Sequence, residues 1–399
     1  MFCTVLRNVP SKIFNTEEDL RKFFNFIGVI YTMIANRRST IGTTARRNLE
    51  TMATSQPFDA QEFYSRQTVL SELGSQGQEK LRHAKVAVVG IGGLGSVSAL
   101  YLALAGTGYL RLVDQDTVEL RNLHRQILYD LDALRYPKVE AAAKRIQKTN
   151  PEVNVEPIPE NARESNIEEI VQGMDCVVDG LDNMRTRYLL NRACVKLGVP
   201  YVFGAAVGME GNLSVFAPPE TPCLECVLPN LDDKYLPTCE TRGVLGATTG
   251  IIGALQSMEA IKLLAGMKDS LKGKLMVCDF SDMYFATIQI FRRPDCPVCQ
   301  DKTVETVVGA ETLVWLCGHN AVNVNPLRPI DTGLNEIHEM IKQHFKIIIK
   351  SPLVIVFDYG NGVEVSFFSR GRMLIKNVKD EESAMEIYNR IMEKIKLKN

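Results

Sequence analysis

Lys85-Val-Ala-Val-Val89, Gly90-Ile-Gly92-Gly93-Leu-Gly95 and Ser96–Ala105 follow one another without a break: an apolar run, three spaced glycines, then apolar residues at helical spacing. A run this short suits a buried strand, and the glycine pattern has meaning only between a strand and a helix. Glycine permits the tight turn and the close approach of backbone to an anion. The free N–H groups of the helix that follows then face a phosphate. Leu110–Val113 is a second apolar run and ends in Asp114, nineteen residues beyond Gly95, where a carboxylate suits ribose hydroxyls. Up to this point an NAD-dependent dehydrogenase accounts for the pattern equally well.

Outward from this core, short apolar runs alternate with helical stretches. Lys138–Lys148 reads as a helix stopped by Asn150-Pro151, Val153–Ile158 as a strand, Asp175–Val178 as a buried strand and Asn183–Leu197 as a helix. Pro200–Gly204 and Asn212–Phe216 extend the sheet. A helix over Thr248–Leu264 and strands over Lys274–Asp279 and Ala286–Arg292 complete it. Such alternation predicts an α/β sheet with helices on both faces. Beyond residue 305 the pattern changes. It predicts an apolar strand at Leu313–Cys317, a helix at Leu334–His344 and strands at Leu353–Asp358, Gly362–Phe368 and Arg372–Lys376, with Tyr359-Gly-Asn-Gly362 as a hairpin turn. A terminal helix over Glu381–Lys396 closes a small α+β module spanning 305–399.

Bulk properties narrow the class. A formal net charge of -1 gives no overall attraction to nucleic acid or an anionic membrane. The longest apolar candidate, Phe23 to Ala35, is shorter than the ~20 residues that span a bilayer. The first fifty residues carry eight Lys and Arg against four acids, and residues 1–55 read as a basic extension. Four of the ten cysteines form two C-x-x-C pairs, which points to metal, a reducing compartment and a cytoplasmic protein.

The charged residues after the second strand separate nucleotide chemistries. Asn122-Leu-His124-Arg125-Gln126 places a cation just past that strand, and Lys138 opens the next helix. Two cations near a triphosphate make sense where negative charge develops on leaving pyrophosphate. Asp179-Gly-Leu-Asp182-Asn183 ends a buried strand at the carboxyl edge of the sheet, where open α/β folds bind ligands. Asp182 there suits Mg²⁺, a hard ion that prefers carboxylate oxygen.

Residues 63–300 resemble the E1-like family of molybdopterin-synthase and thiamine sulfur-carrier adenylyltransferases, which activate ubiquitin-like proteins. The resemblance lies in Tyr64-Ser-Arg66-Gln67, Val89–Gly95, Asp114-Gln-Asp116-Thr-Val118, Asn122–Gln126 and Pro137–Glu140. It continues through Asp179–Asn183, Gly204-Ala-Ala206, Met209–Asn212, both cysteine pairs and Gln256–Gly266. It implies a Rossmann-like adenylation domain over 56–302 with a mostly parallel sheet. It also implies ATP and Mg²⁺ held by Gly90, Gly92, Gly93, Gly95, Asp114, Asp116, Asn122, Arg125, Gln126, Lys138, Asp182 and Asn183. Arg125 and Lys138 would stabilise the transition state. Arg66 matches an arginine inserted from a partner subunit, so a homodimer is implied. The expected substrate is the terminal glycine of a ubiquitin-like protein ending in Gly-Gly.

Cys223-Leu-Glu-Cys226 and Cys296-Pro-Val-Cys299 have the spacing of a tetrahedral Zn²⁺ site, and four filled positions make it structural. By the resemblance, Cys239 is the cysteine that attacks the acyl-adenylate. Arg242 nearby favours its thiolate and Glu240 opposes it. Cys317-Gly-His319 pairs a thiol with an imidazole, but no rhodanese-like loop accompanies it, so the module reads as a docking unit. Three alternatives remain beside adenylation of a protein. A tRNA-modifying dehydratase of the same superfamily fits the zinc cysteines and Cys239 less well. An NAD oxidoreductase leaves Arg125, Lys138 and Asp182 without joint purpose, and a non-catalytic scaffold leaves the charged set unexplained.

Overall fold

The computed structural model describes residues 57–237, 241–268, 270–300, 313–316, 320–326, 330 and 332–395. The basic extension, Cys239, Cys317 and His319 lie outside the described residues. The first sheet begins with β1 (Lys85–Val89), β2 (Tyr109–Val113), β3 (Asn154–Ile158), β4 (Cys176–Asp179) and β5 (Tyr201–Val207), then β6 (Glu210–Phe216), β7 (Lys274–Asp279) and β8 (Tyr284–Gln289). Its order is β3-β2-β1-β4-β5-β6-β7-β8. From β3 to β5 all neighbours are parallel, and from β5 to β8 all are antiparallel. The sheet is therefore mixed, with its parallel half at the amino-terminal side.

Strand periodicity explains why β1 is a continuous apolar run. Val86 and Val88 face one layer with Leu102, Leu110, Leu112 and Ile146, while Ala87 and Val89 face the other with Val177, Leu190 and Phe203. The layers are formed by α1 (Gly74–His83), α2 (Gly93–Leu104), α3 (Lys138–Thr149), α4 (Ile167–Val171), α5 (Met184–Leu197) and α6 (Gly246–Ala265). The α2 helix starts at Gly93, inside the glycine pattern rather than after it. On α6, a Cβ at Gly253 would meet the Leu94 carbonyl oxygen at 2.7 Å, so only glycine lets α6 lie this close to α2.

The second sheet is antiparallel, in the order β11-β12-β13-β14-β10-β9. Its strands are β9 (Leu313–Leu316), β10 (Ala321–Val324), β11 (Lys346–Lys350), β12 (Val354–Gly360), β13 (Val363–Phe368) and β14 (Met373–Lys376). Helices α7 (Leu334–Ile341) and α8 (Glu381–Lys394) pack Ile337, Ile341, Ala384 and Ile391 onto one face. Two strands escaped the sequence reading. Asn323 interrupts β10 although the whole strand is buried, and Lys346-Ile-Ile-Ile-Lys350 is a half-exposed edge lying where a helix was expected to end. That helix stops at Ile341. The hairpin turn falls where expected, with Asn361 and Gly362 at φ +54° and +79°, the left-handed pair a two-residue hairpin requires.

Candidate functional site

The glycine loop is held at the carboxyl ends of three strands. Gly90 N–H donates to the Val113 carbonyl at 2.7 Å and Gly180 N–H to the Val89 carbonyl at 2.8 Å. Gly90 has φ +87°, and a Cβ on either Gly95 or Gly180 would overlap the Gly90 carbonyl oxygen. Three backbones thus meet at a spacing no side chain tolerates. Gly92, by contrast, is open, with Gln126 Nε2 the only neighbour near its missing Cβ. Gly92 is the N-cap of α2, whose first N–H groups have no acceptor within the helix. Gln126 is buried, yet among the described residues its Oε1 has no hydrogen-bond partner, a group whose burial is costly unless a ligand or water meets it.

Beside the loop lies a knot of charge. Asp114 accepts from the backbone N–H of Ile91 at 2.7 Å and of Asp116 at 2.8 Å. Lys138, only 6% exposed, donates to Asp116 Oδ2 at 2.8 Å and stands 4.0 Å from Asp114 Oδ1. Burial pushes the Asp114 carboxyl above the usual carboxylate range despite the Lys138 charge. Burial also opposes ionisation of Asp116, but Lys138, then Lys376 and Arg372, hold it below that range. Burial alone would lower the Lys138 pKa; Asp114, Asp116 and, more weakly, Asp182 raise it instead. The residues that the sequence spaced over 114–138 are brought together here.

Asp182 is exposed and adjoins Asn183, whose side chain caps α5 by accepting from Thr186 N–H at 2.9 Å. The backbone of Arg125 lies against Gly246 at the start of α6, and its guanidinium donates to the Arg121 carbonyl at 3.0 Å. Asn122 is buried and closes a short turn by accepting from Glu119 N–H at 3.2 Å. Arg66 is exposed on a short helix, Ser65–Thr68. Arg242 is not left to act on Cys239 alone, because it pairs with Glu210 through both guanidinium nitrogens.

Sequence reading passed over the residues that brace the site from below. Asp179 is fully buried, where Arg187 Nε donates to it at 3.0 Å and Tyr201 Oη at 2.5 Å. Arg187 also donates to the carbonyls of Leu181 and Gly204, and Gln256 to that of Asp179. The 179–183 loop is thereby fixed from two helices. Helical spacing made Arg187 and Gln256 look like ordinary positions, and nothing in the sequence marks their burial.

The four paired cysteines converge. Cys223 Sγ lies 3.9 Å from that of Cys226 and 3.7 Å from that of Cys296, while Cys226 and Cys299 are 3.4 Å apart. All four sulfurs fall within 4.8 Å of one another. Burial, followed by the neighbouring sulfurs, raises the Cys223 thiol and pushes Cys299 up to about 12. Four sulfurs this close could hold a metal ion as thiolates, and the donor set fits a tetrahedral ion such as Zn²⁺.

Among the described residues no helix is long and apolar enough to cross a membrane. The ThiF family profile matches residues 64–298. The chain is 42% identical over 245 residues to the SAMP-activating enzyme E1 of Haloferax volcanii, covering 61% of this chain and 90% of that one. It is 42% identical over 296 residues to the adenylyltransferase and sulfurtransferase MOCS3 of Drosophila sechellia, covering 73% of this chain and 64% of that one. Among solved structures, E. coli MccB bound to succinimide superposes with a TM-score of 0.54 at 26% identity, over 59% of this chain and 74% of that one. With more than half of its length matched, around the glycine loop and charge knot just described, the chain belongs to the ThiF family of E1-like adenylyltransferases.

Proposed function

We propose that this enzyme adenylates the C-terminal glycine of a ubiquitin-like sulfur carrier or modifier, releasing pyrophosphate. The observation that carries the reading is Lys138, a buried cation pinned between two carboxylates beside a glycine loop that leaves Gly92 open. The substrate carboxylate attacks the α-phosphorus of ATP, so no enzyme nucleophile is needed at this step. The chain supplies alignment and charge neutralisation. Backbone N–H groups at Gly92 and Gly93 receive phosphate oxygens, Gln126 offers a polar contact, and Asp114 meets the ribose. Lys138 and Arg125 neutralise the charge that grows on pyrophosphate. Asp182 would hold Mg²⁺, which would supply positive charge to offset that of the phosphates. The four-cysteine cluster would hold Zn²⁺ as a staple between distant segments.

The Haloferax volcanii relative is named a SAMP-activating enzyme and the Drosophila sechellia one an adenylyltransferase, which supports the adenylation reading here. Arg66, exposed before α1, would serve a second subunit, and Cys239 is the proposed acceptor of the acyl group after adenylation. A tRNA-modifying dehydratase is the second reading, and no observation of the structure favours it. The test incubates the full-length protein with each ubiquitin-like protein ending in Gly-Gly from the source genome and follows ATP–pyrophosphate exchange. Exchange is expected with at least one carrier, and its absence with all of them overturns the reading. A Cys239→Ala protein should still catalyse exchange but form no reducible conjugate. A conjugate formed by that variant removes Cys239 from the mechanism.

A further inference from the structure

Among the described residues, Asn323, Ser351, Glu364, Arg370, Arg372 and Lys376 of the carboxy-terminal module bond to the region that carries the first sheet, and three of them, Asn323, Arg372 and Lys376, grip one short segment. That segment, residues 114–122, carries Asp114, Asp116 and Asn122. Arg372, just before β14, is 3% exposed and donates through Nη2 to the carbonyls of Gln115 and Pro159, both at 2.8 Å. Gln115 lies between the two aspartates. Asn323 of β10 accepts from Arg372 Nη1 at 2.5 Å and donates to the Gln115 side chain at 2.8 Å. The Phe368 ring lies 3.6 Å under the guanidinium and fixes its plane. Four residues on, Lys376 at the end of β14 donates to Thr117 Oγ1 at 2.9 Å and to Glu119 Oε1 at 2.7 Å. Glu119 in turn opens the capped turn that seats Asn122.

On its other side the same segment is paired with the chain leading into α3. Thr117 bridges Pro137, and Lys138 N–H donates to the Asp116 carbonyl at 3.0 Å. The segment is thus clamped between the module and the start of the helix that carries Lys138. A guanidinium buried this deeply is costly: burial pulls Arg372 down to about 9, and the nearby acids Asp116, Glu160 and Asp114 offset only part of that. Contacts that served only to attach the module would not need buried charge aimed at this segment. The rim pairs Arg135–Glu364 and Arg370–Glu160 and the Ser351–Glu140 hydrogen bond already hold the two sheets together.

We propose that the carboxy-terminal module is a positioning device for the nucleotide site, in which Arg372 and Lys376 set the conformation of the 114–122 segment. They are positioning residues, since neither touches the reacting atoms. The inference rests on the reading of residues 90–138 as the ATP site. Binding of ATP with Mg²⁺ to the full-length chain, followed by titration calorimetry, tests it. Lys376→Gln is expected to weaken that binding about tenfold and to raise the ATP KM to match, with the carrier KM unchanged. Lys376→Arg should restore binding to within about twofold, because a cation again reaches Glu119. Arg370→Gln, on the same interface but away from the segment, should bind like the parent. Arg372→Lys, if it folds, should resemble Lys376→Gln. If Lys376→Gln binds ATP like the parent while its thermal midpoint falls, the module is merely attached and the proposal is overturned. A parent that binds ATP but exchanges pyrophosphate with no carrier sinks the adenylation reading, and the binding comparison then still decides this one.

Discussion

The charge knot of the parallel half and the cysteine cluster reached from the antiparallel half pose the same electrostatic problem and meet it differently. Each gathers groups that repel when ionised and that burial penalises. At Asp114 and Asp116 the compensating cation is part of the chain, with Lys138 2.8 Å from one carboxylate and 4.0 Å from the other. At the four cysteines the sulfurs pack among Val195, Val227 and Val298, with Arg293 acting on Cys296 and Cys226 from outside the cluster. A built-in cation can be set in place before substrate arrives. A metal at the cysteines would have to be taken up, and its gain would be a cross-link rather than chemistry.

The comparison breaks most sharply at Lys138. Lys138→Met leaves two buried carboxylates without their cation and removes the proposed transition-state contact. We expect pyrophosphate exchange to fall by ~10²–10³-fold and stability by about 3 kcal/mol, read by exchange rate and denaturant unfolding. A variant that keeps its exchange rate would show that the knot is structural. The cysteine side should respond in the opposite sense. Cys226→Ser is expected to lose bound metal by atomic absorption and to lower the thermal midpoint by on the order of 10 °C, with ATP binding retained. Loss of ATP binding in that variant would show the two clusters to be coupled.

The smallest effect sharpens the account of Asp116. Its carboxyl is held below the ordinary value in the folded chain, after burial is outweighed by Lys138, Lys376 and Arg372. A group lowered on folding contributes stability that is complete above its unfolded pKa of about 3.9 and is lost as pH falls through the lower folded value. Asp116→Asn should therefore flatten the acid limb of the stability curve below about pH 4, by no more than ~1.4 kcal/mol per pH unit. An unchanged limb in that window would mean that Lys138 does not favour the ionised form of Asp116.

How much was readable in the sequence follows from what kind of signal each feature leaves. The parallel strands, the glycine loop and the paired cysteines obey local rules of period, turn geometry and ligand spacing, so Lys85–Val89 and Cys223-x-x-Cys226 could be read without a structure. The hairpin at Asn361-Gly362 belongs with them. Beyond local rules, β10 hid behind Asn323, whose polar side chain is buried because Arg372 and Gln115 satisfy it from 49 and 208 residues away. The bracing of Asp179 by Arg187 and Gln256 was equally silent, since burial of a polar side chain depends on partners from other elements. Nor did the module announce its grip on residues 114–122. Sequence alone determined which chemistry the chain carries. Only the tertiary structure decided which groups hold that chemistry in place, because hydrogen bonds and buried charge pairs act across space without regard to distance along the chain.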